Sequence, residues 1–335
     1  MNKRRLLYLA IVVAPVVSVF ISVCIGRYPL PLTDAIQSMI GGPWSESYQS
    51  GDIYTKIVWD IRMPRALLGC LVGASLAVSG TAFQGLFRNP LVSSGILGVS
   101  SGAGFGAALA ILLFNSVTAA YPLAFAFGIF AVFCAYFIGR LYSTTPAIML
   151  VLGGVIVSSV FAALLSFVKY VSDPYDQLPK IVFWLMGSLA SAGYRDIMIA
   201  GIPMVIGMTG LLAVRWQINV LSMGDREART LGINTDVSKG LTILCATLAT
   251  AGAVCVSGVI GWIGLVIPHI ARMIFGNDNR IIVPASLSLG ACFLVMVDDI
   301  GRLITGSEIP LGILTAILGG PFFVYLLKKT KGGGW

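Results

Sequence analysis

The residues most able to do covalent chemistry are a serine in a glycine frame and the single histidine. Gly98-Val99-Ser100-Ser101-Gly102 matches G-x-S-x-G, the frame in which a serine on a sharp strand-to-helix turn attacks an acyl group. His269 is the one imidazole available as its base. Ser100 and His269 therefore define a serine hydrolase, acting inside a membrane, as the alternative reading. The elbow needs a preceding strand, and the base must come within hydrogen-bond reach of the nucleophile. Ser100 instead lies in a glycine-rich apolar stretch, and His269 follows Pro268 in another, which favours a structural role for both. Gly102-Ala103-Gly104 begins like a dinucleotide loop but lacks the βαβ context that gives such a loop its meaning. No G-x-x-x-x-G-K-[ST] sequence occurs, so any ATP-driven work falls to a partner. Six cysteines without a C-x-x-C pair, and one histidine, leave no conventional zinc site. No catalytic residue, no metal and no cofactor bound by this chain is expected.

Two further groups are charged rather than nucleophilic. In the polar stretch 215–239, Ser222-Met223-Gly224-Asp225 reads as a capping box. A short helix follows through Arg226, Glu227, Ala228 and Leu231, with Gly232 placed to end it. A capped helix in a long polar connector is a rigid handle for another protein; the plainer reading is a solvated loop. Arg62, Arg65 and Arg302 form the second group, each at the end of an apolar segment. They could snorkel to lipid headgroups or form a cationic ring that meets acidic groups of a docking protein.

The elements that must hold these residues are set by composition. Of 335 residues, 57% are hydrophobic and 11% charged, and mean hydropathy is +0.92. A soluble domain carries roughly 25% charged residues, so a water-soluble enzyme and a disordered chain are both excluded. A membrane-crossing helix needs about 20 apolar residues. Segments of that kind fall near 6–26, 66–86, 94–114, 119–139, 147–168, 196–214, 240–261, 281–298 and 310–327, with a shorter one near 262–276. The stretch 181–190 is too short to cross and predicts a re-entrant or interfacial helix. The fold class is therefore an all-α integral membrane protein of about ten transmembrane helices, with 1–335 as a single domain.

Lys3, Arg4 and Arg5 precede the first segment, which is long for a signal peptide and shows no clear cleavage site. It reads as a retained span with its N terminus inside, so ten spans put both termini in the cytoplasm. With that topology, 14 basic and 4 acidic residues face inward, against 8 and 10 outward, in line with the positive-inside tendency. The net charge of +8 is then mostly an orientation signal, and nucleic acid is not an expected partner. Few ionisable residues fall at mid-span, which argues against an ion-coupled carrier.

Val78-Ser79-Gly80, nine residues and Pro90 recur 178 positions later as Val256-Ser257-Gly258, nine residues and Pro268, with Gly98 matching Gly276. Five spans separate the copies, so an inverted repeat is expected, with halves of about 62–168 and 240–328. Gly69 with Gly73, and Gly98 with Gly102 and Gly106, have the small-residue spacing that lets helices approach closely in lipid.

Taken together these motifs resemble one continuous signature. Arg62-x-Pro64-Arg65, Gly73-Ala74-x-Leu76-Ala77-x-Ser79-Gly80, Gln84, Arg88-Asn89-Pro90-Leu91 and Leu97 through Ala103 are similar to the permeases of ABC importers for iron-siderophore, haem and cobalamin, the FecCD family. The second half agrees, with Gly224-x-Arg226-Glu227-Ala228-x-x-Leu231-Gly232, Gly264-Leu265-Val266-x-Pro268-His269-x-x-Arg272 and Glu308-x-Pro310-x-Gly312-x-x-Thr315-Ala316. The resemblance covers about residues 6–328.

It implies a type II ABC importer permease in a bacterial or archaeal plasma membrane. The subunit would pair with a second copy, sit on two ATPase subunits that bind ATP and magnesium, and receive substrate from an extracytoplasmic binding protein. Ser222, Gly224, Asp225, Arg226, Glu227, Ala228, Leu231 and Gly232 would couple to the ATPase. Arg62, Arg65 and Arg302 would dock the binding protein. Asn89, Pro90, Leu91, Ser143 and Thr144 would form cytoplasmic gates, and the fifth and tenth spans would line the path. Transport would proceed by alternating access.

Overall fold

In lipid a backbone can satisfy its polar groups only within a helix or a closed barrel, and every long element among the described residues is a helix. The computed structural model describes residues 3–140, 147–304 and 308–329. Ten long helices answer the ten expected segments: α1 (Lys3–Cys24), α2 (Met63–Phe87), α3 (Val99–Phe114), α4 (Ala120–Gly139), α5 (Ala147–Val171), α6 (Tyr194–Ala213), α7 (Thr235–Ser257), α8 (Ile263–Phe275), α9 (Asn279–Ile304) and α10 (Leu311–Lys329). Among the described residues six helices are long and apolar enough to cross a membrane, and α1, α3, α8 and α10 each contain a shorter apolar stretch. The short helix expected around 181–190 lies at Gln177–Met186.

α2 is the axis of the bundle. It packs against α9, α7, α6, α8 and α1, and 83% of its most apolar window is buried. Its glycines explain how so many neighbours fit. A Cβ on Gly73 would collide with the carbonyl oxygen of Gly290 in α9, and one on Gly80 with the carbonyl oxygen of Gly264 in α8. Only backbone-to-backbone approach fills that space, which is how helices associate where lipid tails offer no hydrophobic drive. α3, α4 and α5 pack on one another beside this axis. About a third of the most apolar window is buried in α4 and in α6, and 28% in α5, so these helices present broad apolar faces outward.

Two sequence expectations change in detail. The 178-residue correspondence does not join equivalent positions. Gly80 is inside a helix, whereas Gly258 has φ +70° and caps one. Pro90 is in a loop and Pro268 in a helix. Gly98 starts α3, whereas Gly276 ends α8. The matched small residues follow the common demand for tight packing rather than a shared local structure. The stretch 215–239 is also no open loop. It holds helices Arg215–Leu221 and Asp225–Thr230 before α7 begins at Thr235.

Candidate functional site

Candidate functional residues gather at both ends of α2. Its C terminus turns through Arg88, held at φ 51° in the left-handed region, into the Asn89-Pro90-Leu91 loop. The Asn89 Oδ1 accepts the Leu91 N–H at 2.9 Å, a local turn that fixes the loop tip. Gln84, one turn earlier and buried, ties this corner to α8. Its Nε2 donates to the Val92 carbonyl at 3.1 Å, and its Oε1 accepts from the Arg272 guanidinium. The Asn279 N–H at the start of α9 donates to Asn219 Oδ1 at 2.9 Å. Between these groups lies a cavity of about 490 Å³, bordered by Arg88, Asn89, Pro90, Ser222, His269 and Arg272 among others.

The helix Asp225–Thr230 stands beside this cavity. Its start differs from the capping box read in sequence. Gly224, at φ 138° and ψ 156°, is the N-cap and gives no side-chain bond, while Ser222 Oγ donates back to the Asn219 carbonyl at 2.6 Å. Ser222 therefore closes the preceding helix. Glycine suits 224 because the backbone there, at φ 138°, lies in a region other residues avoid. The helix ends as expected. Gly232 at φ 78° allows a Schellman closure, with Gly232 N–H donating to Arg229 at 3.0 Å and Ile233 N–H to Ala228 at 3.0 Å. Ala228 is fully buried and anchors the helix inward. Lys239, itself buried, braces the other end through a 2.6 Å ion pair to Asp225. Arg226, Glu227, Arg229 and Thr230 are left exposed, flanked by Met223 and Leu231 at 61% and 56% exposure. The helix thus turns a polar face outward, with two apolar residues projecting at its flanks.

The opposite end of α2 holds the three arginines, but not as the outward ring expected from sequence. Arg62, Arg65 and Arg302 are 3%, 7% and 8% exposed. Arg62 donates to the carbonyl oxygens of Val23, Cys24 and Tyr28 at 2.6–3.2 Å, clamping the end of α1. Arg65 makes paired bonds to Asp298, at 2.9 and 2.8 Å, and to Glu308, at 2.7 and 2.9 Å. Arg302 pairs with Asp299 and stands 3.3 Å from Asp298. Ser22 joins by donating to Asp299 at 2.7 Å. Desolvating a charge costs several kcal/mol unless it is paired and hydrogen-bonded, so these groups are bound into the chain. The network ties α1, α2 and α9 to the approach of α10. Its carboxylates were missed as partners in sequence. The one legible signal was the three- and four-residue spacing of Asp299 and Asp298 from Arg302. Arg65 to Glu308 has no local signature.

Glu308 lies between α9 and α10. Its carboxyl is held below the usual range, chiefly by the bonds from Arg65, with Arg302 and the exposed Arg27 adding positive potential.

Ser100 and His269 are not brought into one site. α3 packs on α4, α5 and α7, whereas α8 packs on α2, α9 and α10, and Ser100 does not border the cavity that His269 lines. No strand-turn-helix elbow surrounds Ser100, which sits in the first turn of α3. Ser143 and Thr144 lie outside the described residues. Among the described residues no cluster of three metal-ligating side chains occurs.

Residues 13–329 match the model of the FecCD transport family. The chain is 36% identical to the molybdate import system permease protein of Haemophilus influenzae, over 95% of this chain and 94% of that one. It is 38% identical to the hemin transport system permease protein of Yersinia pestis, over 86% and 87%. Among solved structures it is similar to a metal-chelate type ABC transporter in an inward-facing conformation, with TM-score 0.86, 35% identity and coverage of 98% of this chain and all of that one. Family, helical architecture and the two structured ends of α2 agree: the chain belongs to the FecCD transport family, as a non-enzymatic, multi-pass permease subunit of an ABC transporter.

Proposed function

We propose that this permease passes an iron chelate, as ferric siderophore or haem, or cobalamin from an extracytoplasmic binding protein into the cytoplasm. It would work as a homodimer on two ATPase subunits that bind ATP and magnesium, in a bacterial or archaeal plasma membrane, with both termini cytoplasmic. The observation that carries the coupling part is the braced helix Asp225–Thr230, whose apolar flanks Met223 and Leu231 are exposed although its base is buried. Such a helix fits a cleft on an ATPase and moves the bundle with it, through Lys239 into α7 and through the neighbouring helix Arg215–Leu221 into α2 and α9. Asn89 and Pro90, which border the same cavity, would with Leu91 gate the path as that helix moves. ATP and the binding protein supply the differential affinity that alternating access demands.

The exposed apolar faces of α5 and α10 support the homodimer and the path between copies. Ile148, Val155, Val160 and Phe167 on α5, and Ile317 and Val324 on α10, are all more than half exposed in the single chain. For docking, the buried arginines change the picture. Arg62, Arg65 and Arg302 would shape the docking end from within, and Arg27 and the roughly one-third-exposed Glu308 are among the charges exposed there. The substrate class rests on the relatives and on the shared motifs. The molybdate permease among those relatives keeps an oxyanion as the second reading.

The test is ATP hydrolysis by the permease reconstituted with its ATPase and binding protein, with ferric siderophore, haem, cobalamin and molybdate offered in turn. Stimulation by one chelate supports the proposal. Stimulation by molybdate alone replaces it with the oxyanion reading, and stimulation by none removes both.

A further inference from the structure

A groove unrelated to either end of α2 runs down the outside of the bundle between α4 and α6, with α7 as its floor. It encloses about 670 Å³, within the range of small-molecule sites. Phe125 of α4, Ile199, Ile202 and Ile206 of α6 and Leu248 of α7 line it. The three isoleucines are also 54–63% exposed, so the groove opens sideways, on a face that lies against acyl chains when the bundle is in a bilayer.

Polarity is confined to one end. Arg195 and Asp196, in the first turn of α6, both border the groove there, and Tyr194 beside them is 38% exposed, a residue type enriched at the membrane–water boundary. Arg195 is exposed. Asp196 accepts the Gly193 N–H at 2.9 Å, which uses one of the roughly four lone-pair sites of its carboxylate. The mouth thus offers one positive and one negative group side by side above an apolar trough.

We propose that this groove binds one phospholipid of the phosphatidylethanolamine type, with an acyl chain laid between α4 and α6. The phosphate meets the Arg195 guanidinium, and the primary ammonium donates to Asp196. Charge complementarity selects this headgroup. A phosphatidylglycerol headgroup satisfies Arg195 but offers Asp196 only neutral hydroxyls and no positive charge. A choline headgroup carries the right charges, yet its trimethylammonium has no N–H to donate.

The test is native mass spectrometry of the purified full-length permease complex released from nanodiscs containing equal phosphatidylethanolamine, phosphatidylcholine and phosphatidylglycerol. The wild type should retain phosphatidylethanolamine over phosphatidylcholine by about tenfold, a difference readily read as a free-energy gap. Asp196→Asn, which keeps an acceptor for Gly193, should abolish that preference. Arg195→Gln should lower retention of all three lipids. Ile202→Trp, which narrows the trough, should also lower all three. Equal retention of the lipids by the wild type overturns the headgroup assignment, whatever the variants do. Unchanged retention in a folded Ile202→Trp complex overturns the groove as the site.

Discussion

Arg65 and Asp298 stand 233 residues apart and meet through two parallel hydrogen bonds, Nε to Oδ2 at 2.9 Å and Nη2 to Oδ1 at 2.8 Å. The same guanidinium holds Glu308 at 2.7 and 2.9 Å. One side chain therefore joins α2, α9 and the approach of α10. A bidentate arginine fork suits this role because its donors are fixed in a plane that matches a carboxylate.

Breaking the fork from different sides should have unequal costs. Arg65→Ala leaves Asp298 buried without its main partner, and removing one member of a buried pair costs about 3–5 kcal/mol. Glu308→Gln removes a charge that is about one-third exposed, where ion pairs contribute no more than about 1 kcal/mol. Thermal unfolding of the purified complex should rank wild type, Glu308→Gln, then Arg65→Ala. An Arg65→Ala complex as stable as wild type would remove the network from the account of this end.

The same pair predicts a pH response. The Glu308 carboxyl is depressed in the folded chain, mainly by Arg65, so its contribution is present above the ordinary glutamate value and is lost as pH falls through the folded one. Wild type should exceed Glu308→Gln by a constant margin above the ordinary glutamate range, and the margin should close as pH falls below that range. A margin that opens only on acidification would reverse the sign.

Glycine contacts on α2 give a packing test. Gly73→Ala and Gly80→Ala each place a methyl on the backbone of a neighbouring helix, and overpacking of this kind costs typically about 1–3 kcal/mol. Gly201→Ala is the control, since its nearest neighbour would be Leu71 Cδ1 at an ordinary 3.8 Å. Unfolding temperature should fall for the first two and hold or rise for the third.

At the coupling end, Arg226 and Glu227 are exposed while Ala228 and Lys239 are buried. An Arg226→Ala, Glu227→Ala double variant should assemble and keep its unfolding temperature but lose transport-linked ATP hydrolysis in proteoliposomes. Wild-type coupling in that variant would return the helix to a solvated connector.

Docking separates surface charge from buried charge. Arg27→Glu should weaken association with the binding protein in a salt-dependent manner, because an exposed charge is screened within about 8–10 Å at ordinary ionic strength. Its unfolding temperature should stay near that of wild type. Arg62→Glu and Arg302→Glu should lower that temperature first, since each puts a carboxylate where a guanidinium is enclosed. Surface plasmon resonance across a salt series, with unfolding measured in parallel, distinguishes the two effects.

The ten helices were legible in the sequence, because lipid forces each crossing segment to be long, apolar and helical whatever its neighbours are. The stop at Gly232 was legible for a similarly local reason: a helix end favours glycine in the left-handed region. The start of the same helix was misread. Ser222 and Asp225 carry the capping spacing, yet the preceding helix captures Ser222 through Asn219, and spacing alone does not show which helix a serine closes. The arginines mark the deeper limit. Their types and places beside apolar segments were plain in the sequence, but whether they face a partner or one another depends on contacts hundreds of residues apart, Arg65 with Asp298 and Glu308. Local chemistry determined the long helices and the glycine stop at 232. Tertiary packing alone decided which charges are neutralised inside the chain and which remain to meet a partner, because desolvation is a property of the assembled surface and not of the sequence neighbourhood.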